Sequence, residues 1–139
     1  MHRYLVVANQ TLFSGALTSK VQDLQAAGAA SFHVLVPATP PADHAWTDAE
    51  ARALAQRRLD DCLARLRGAG FAADGEVGDE HPVDAIKDVL DRGESFSAIV
   101  LSTLKPGLSH WLKLDLVSRV EGFGIPVLHV IGEREPAHT

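Results

Sequence analysis

Two short segments of the chain concentrate the residue types that could bind or transform a small molecule. One is Asn9-Gln10-Thr11-Leu12-Phe13-Ser14-Gly15. The other is Ser102-Thr103-Leu104-Lys105-Pro106-Gly107-Leu108-Ser109-His110. Each follows a short apolar run and precedes a helical pattern, so hydroxyls and the free amides of a helix start would meet there. That combination favours anions. The same residues serve equally well as helix caps and turn formers, and the sequence leaves both readings open.

Sharper motifs are missing. The phosphate loop GxxxxGK[ST] is absent, and Gly122-Phe123-Gly124 leads into a strand pattern with no third glycine, so it reads as a turn. Gly107-Leu108-Ser109-His110-Trp111 approaches a nucleophile elbow but lacks its second glycine. Ser109, His110 and Asp115 are near neighbours in sequence, whereas a catalytic triad converges from separate loops. The seven histidines show no HExxH spacing. Gly78-Asp79-Glu80-His81-Pro82-Val83-Asp84 could hold a hard metal, but an acidic helix start is the better reading. His33 and His129 fall inside strand patterns, Cys62 lies on an apolar helix stripe, and Trp111 reads as an apolar plug beside Leu108 and Leu112.

The elements that must carry these loops alternate two periods. Tyr4 to Ala8, Phe32 to Val36, Phe71 to Val77, Phe96 to Leu101 and Ile125 to Ile131 read as strands, the third the weakest and at an edge. Between them, Leu17 to Ala27 carries Leu17, Val21 and Leu24 at helical spacing. Residues 37–46 hold three of the seven prolines and read as a loop. Thr47-Asp48-Ala49-Glu50 is a capping box opening a helix to about Arg67, with Ala51, Leu54, Ala55, Leu59, Cys62, Leu63 and Leu66 as its stripe. Pro82 starts a short helix on Val83, Ile86, Val89 and Leu90, and Leu112, Leu116 and Val120 predict a single last helix. The polar tail after Gly132 is expected to fray.

Strands separated by helices cannot form hairpins, so the sheet is parallel. The pattern predicts a single α/β domain over residues 1–139, a three-layer α/β/α sandwich. Ligands of such sheets bind beyond the carboxyl ends of the strands where strand order reverses. If the first and fourth strands are central neighbours, both hydroxyl-rich loops face that crevice. A receiver domain is excluded, because Asn9-Gln10 and Gly132-Glu133 stand where it needs clustered acids and a lysine.

Composition sets the remaining bounds. With 139 residues, 46% hydrophobic and 22% charged, the chain is an ordinary globular domain. A net charge of −5 supplies no basic field for a nucleic acid. One cysteine excludes a disulfide framework. The first apolar run is too short for a signal peptide, and no stretch approaches the roughly 20 apolar residues of a membrane span, which leads us to expect a cytoplasmic protein.

Several phrases, taken together and in order, resemble the universal stress protein family over nearly the whole chain. They are Leu5-Val6-Val7-Ala8-Asn9, Gly78-Asp79 followed by Pro82, Ala85 and Ile86, Ala98-Ile99-Val100-Leu101-Ser102-Thr103, and Ile125-Pro126-Val127-Leu128-His129-Val130. The resemblance implies a Rossmann-like five-stranded parallel sheet of order 3-2-1-4-5. It also implies an adenine-nucleotide site, for ATP or AMP, at Asn9, Ser102, Thr103, Lys105, Gly107 and Ser109.

The family's ATP-binding members carry a G-x2-G-x9-G-[ST] loop, from which this chain departs. Ser102 replaces the first glycine, Lys105 or Pro106 stands near the second, and Asp115-Leu116 falls near the final pair. Asn9 stands where the family has an aspartate. Pro106 removes a donor amide. A carboxylate at Asp115 lying about 4 Å from a phosphate would be repelled by roughly 4 kcal/mol per unit charge at an effective dielectric of about 20.

The expectation is therefore a non-catalytic regulatory or binding protein of a divergent branch, its nucleotide binding weak or lost. A genuine ATP- or AMP-binding protein is the alternative, and a small α/β hydrolase comes third. The resemblance further implies a homodimer through the last strand, at Val127, Leu128 and Val130. An apolar edge there would be a liability if left unpaired.

Overall fold

In the computed structural model, which describes residues 1–133, ten elements alternate along the chain. They are β1 (His2–Val7), α1 (Gly15–Ala27), β2 (Ala30–Pro37), α2 (Asp48–Gly68), β3 (Ala72–Gly78), α3 (Pro82–Asp91), β4 (Ala98–Thr103), α4 (His110–Lys113), α5 (Leu116–Glu121) and β5 (Val127–Ile131). All neighbouring strands are parallel and the order is β3-β2-β1-β4-β5. This is the three-layer architecture that the sequence pattern predicts, with the Rossmann-like strand order that the family resemblance implies. Most of the polar tail lies outside the described residues.

The period-two pleat divides the core. Val6, Val34 and Val100 face one side with Leu17, Val21, Leu59 and Cys62. Leu5, Leu35, Ile99 and Leu101 face the other with Ile86, Val89, Trp111 and Val120. The chain thus places α1 and α2 on one face and α3, α4 and α5 on the other. The direction of winding reverses between β1 and β4, and a crevice opens where their loops part.

Local chemistry fixes the entries to the helices. Ser14 Oγ accepts the Leu17 amide at the start of α1. At α2 the expected capping box is complete: Thr47 Oγ1 accepts the Glu50 amide, and the Glu50 carboxylate accepts that of Thr47.

The last helix is not continuous. Asp115 takes a left-handed conformation (φ 56°) and splits it into α4 and α5. On one straight helix Trp111 and Leu116 would point about 140° apart. The break turns both inward, to 8% and 2% exposure. The regular spacing of Leu112, Leu116 and Val120 concealed this, because the residue that dives into the core is Trp111.

Candidate functional site

Beyond the carboxyl ends of β1 and β4 lies a cleft of about 820 Å³. That is an ordinary size for a small-molecule site. Its floor is polar, buried and bonded within itself. Asn9 is 6% exposed. Its Nδ2 donates to the carbonyls of Pro37 (2.8 Å) and Thr39 (3.2 Å), and its Oδ1 accepts from Arg58 Nη1 (2.6 Å). Thr11 and Ser102 share a hydroxyl hydrogen bond of 2.5 Å. Thr103 Oγ1 donates to the Leu104 carbonyl and, having one proton, accepts from His129 Nε2 at 2.8 Å. Partial desolvation of the ring lowers the His129 pKa from its ordinary value.

Thr39 ties the loops together. Its hydroxyl donates to the Glu80 carbonyl (2.5 Å) and accepts from the Trp111 indole (3.2 Å), while its own carbonyl accepts from Asn9. One residue therefore joins the loops that follow β1, β2, β3 and β4. The end of β5 closes against the first of these. A Cβ added at Gly132 would stand 2.4 Å from Ser14 Oγ and 3.2 Å from the Thr11 Cβ, so only glycine fits there without a shift.

The walls differ in character from the floor. Pro40, Pro41, Trp46 and Leu54 line one side, and Leu104, Leu108, Trp111 and Leu114 the other. Trp46 donates its indole N–H to Asp43 (2.8 Å) and stacks on His44 with ring centres 4.3 Å apart. That hydrogen bond holds the Asp43 carboxyl below its ordinary range. The lining holds two carboxylates, Asp43 and Glu80, and one guanidinium, Arg58.

Of the expected site residues, Asn9, Ser102, Thr103 and Ser109 line the cleft. Ser109 is also the cap of α4, its Oγ accepting the Leu112 amide at 3.1 Å. Lys105 and Gly107 are not in the lining. They belong to an exposed turn in which the Lys105 carbonyl accepts the amides of Leu108 and Ser109, and Gly107 supplies a φ of 92°. Asp115 also stays outside the lining, and its neighbour Leu114 takes the place at the cleft instead. Thr39, Trp46, Arg58 and Glu80 are the residues that sequence reading missed. For Arg58 a signal existed: it stands seven residues after Ala51, hence on the buried stripe of α2, where a cation needs a partner.

Two further clusters of acids and histidine lie outside the cleft floor. Asp79 accepts the amide of His81 (2.8 Å) and its Nδ1 (2.9 Å) at the exposed start of α3. His33, on β2, has one ring nitrogen 2.8 Å from Asp74 and the other 2.8 Å from Glu76, both on β3. Arg92 bonds Glu76 and Glu94, and Arg3 bonds Asp74 and Glu94. The guanidinium groups thus stand where a metal ion would be needed to neutralise those carboxylates.

No family model matches the sequence, and no curated protein matches it. Among solved structures, the chain is similar to a universal stress protein from Archaeoglobus fulgidus, with 16% identity and a TM-score of 0.63. That match covers 94% of this chain and 93% of the other. It is also similar to a protein of the universal stress protein family from Burkholderia pseudomallei, with 18% identity and a TM-score of 0.60, covering 92% and 94%. The fold is that of universal stress proteins.

Proposed function

We propose that this chain is a non-catalytic binding and regulatory protein of the universal stress type whose cleft holds ATP weakly or not at all. The carrying observation is the internally bonded floor. Asn9, Thr11, Ser102, Thr103 and Ser109 each already make at least one side-chain hydrogen bond within the protein. A bound nucleotide would have to compete with these bonds, which reduces the gain. Two carboxylates against one guanidinium in the lining also disfavour a polyanion. The size and place of the cleft favour the second reading, a true ATP- or AMP-binding protein.

Native mass spectrometry of freshly purified protein, followed by titration with ATP and AMP, separates the two. The expected result is no retained nucleotide and no saturation at about 1 mM, a free energy weaker than roughly −4 kcal/mol. A micromolar constant lost in Leu108→Glu would replace this reading by the second. Leu108 suits the purpose because it is exposed at the cleft, whereas Ser102 is buried against Thr11 and a charge there would test folding instead.

The proposal includes a homodimer through β5. The ladder bonds at Pro126 and Gly132 face β4, so the alternate amides of Val127, His129 and Ile131 face outward, where a second copy could pair. The side chains of Leu128 and Val130 pack into this chain's own core, which leaves the backbone edge and Ile131 as the available surface. Sedimentation should give a species of twice 14.9 kDa. Ile131→Pro should halve it by deleting an outward amide, and a monomeric parent protein would end the dimer proposal.

A further inference from the structure

We propose that the cleft receives an uncharged, flat and largely apolar molecule, a system of two or three aromatic rings with few polar atoms. The inference deepens the reading above and rests on it. Four observations carry it.

The buried floor side chains Asn9, Thr11, Ser102 and Thr103 already bond within the protein, so a ligand rich in hydroxyls or phosphates would have to compete with those bonds. The walls are proline rings, leucines and two indoles, which reward flat apolar surface. Trp46 and Trp111 also have their N–H groups bonded inside the protein, to Asp43 and Thr39, so neither offers a ligand a donor; Trp46, the less buried of the two, brings the surface. Finally, Leu108 and Leu114 are 55% and 43% exposed and both line the cleft. Large exposed apolar side chains at a concave mouth are characteristic of ligand sites.

Charge decides between neutral and anionic ligands. Asp43 and Glu80 outnumber Arg58, and Arg58 is bonded to the buried Asn9 amide. A net negative lining repels an anion of the same shape.

A pair of fluorescent dyes sharing one skeleton tests the proposal directly. N-Phenyl-1-naphthylamine is neutral, and its 8-sulfonate differs by one negative charge. The intact chain should bind the neutral dye one to one with a micromolar constant, and the sulfonate at least about tenfold more weakly. Trp46→Ala should weaken the neutral dye by about tenfold. Leu108→Lys, in an exposed turn outside the core, provides a second variant with the same expected direction. The single variant Glu80→Gln, which leaves the Asp43–Trp46 bond in place, should narrow the gap between the dyes by strengthening the sulfonate.

Equal or tighter binding of the sulfonate overturns the proposal. So does neutral-dye binding that neither Trp46→Ala nor Leu108→Lys alters, since the dye would then sit elsewhere. The failure of the underlying reading is distinct: micromolar ATP binding ends both. Absence of binding by either dye and by ATP ends only this inference and leaves a regulator acting through its surfaces.

Discussion

The cleft beyond β1 and β4 and the charged network around His33 use their polar groups in opposite ways. At the cleft, mostly neutral side chains surround about 820 Å³ of space. Around His33, two carboxylates bond one imidazole, and two guanidinium groups tie them to a third carboxylate. The first region has room, with Asp43, Glu80, His81 and His110 spread around its lining, and the second packs its carboxylates, imidazole and guanidinium groups against one another. The two regions therefore differ in what a change of residue would disturb. The cleft floor should be fragile to any change of hydrogen bonding or volume, the network to a change of charge.

The sharpest way to break the contrast is to put a charge on the floor. In Asn9→Asp the carbonyls of Pro37 and Thr39 would face a carboxylate in place of the donor that now reaches both. Two lost donors and a buried charge should destabilise the fold by about 3 kcal/mol, with Arg58 offsetting only part. Urea unfolding measures this, and an unchanged midpoint would show that the floor is looser than described. Gly132→Ala comes next. The added methyl would overlap Ser14 at 2.4 and 2.8 Å and crowd Thr11 at 3.2 Å, and overpacking of that kind should cost about 2 kcal/mol.

Thr39→Val keeps the shape and deletes one hydroxyl. The Glu80 carbonyl and the Trp111 indole each lose a partner, for a cost of about 1 kcal/mol. The local signature is more telling than the cost: the Trp111 indole proton should exchange with solvent faster while that of Trp46, bonded to Asp43, does not change. Equal behaviour of the two indoles would mean that Thr39 does not join the loops.

The sheet was legible because apolar runs and helical stripes are repeated along whole elements, so single misfits do not change the pattern. The break at Asp115 was not, because a left-handed residue leaves no periodic trace and aspartate tolerates it only in context. Half of the cleft followed from the topological rule, which places Asn9 and Ser102 at the crevice. The proline-rich loop of residues 37–46 gave no sign that Thr39 and Trp46 would fold over it. The role of Thr39 depends on partners far away in sequence, Trp111 being 72 positions from it. Hydroxyls suggestive of ligand binding also serve as caps and ties. Only the partner of each oxygen separates those roles, and spacing does not encode it.

The smallest effect belongs to the network. The Arg92 hydrogen bonds, reinforced by His33, hold the Glu76 carboxyl below its ordinary range in spite of partial burial. For Asp74, burial pushes upward, but His33 and Arg3 outweigh it and the net direction is also down. A carboxyl lowered in the folded state stabilises it at every pH above its unfolded value and loses that contribution as pH falls through the folded one. The ordinary values are 3.8 and 4.5, so the loss belongs below about pH 4.5. Glu76→Gln removes the charge while leaving an oxygen to accept from His33. With solvent screening it should cost no more than about 1 kcal/mol at neutral pH, and the gap from the parent protein should close on acidification below pH 4.5. A gap that persisted at pH 3 would assign the loss to packing instead of charge. The His33 network would then resemble the cleft floor, and the contrast between the two regions would fail.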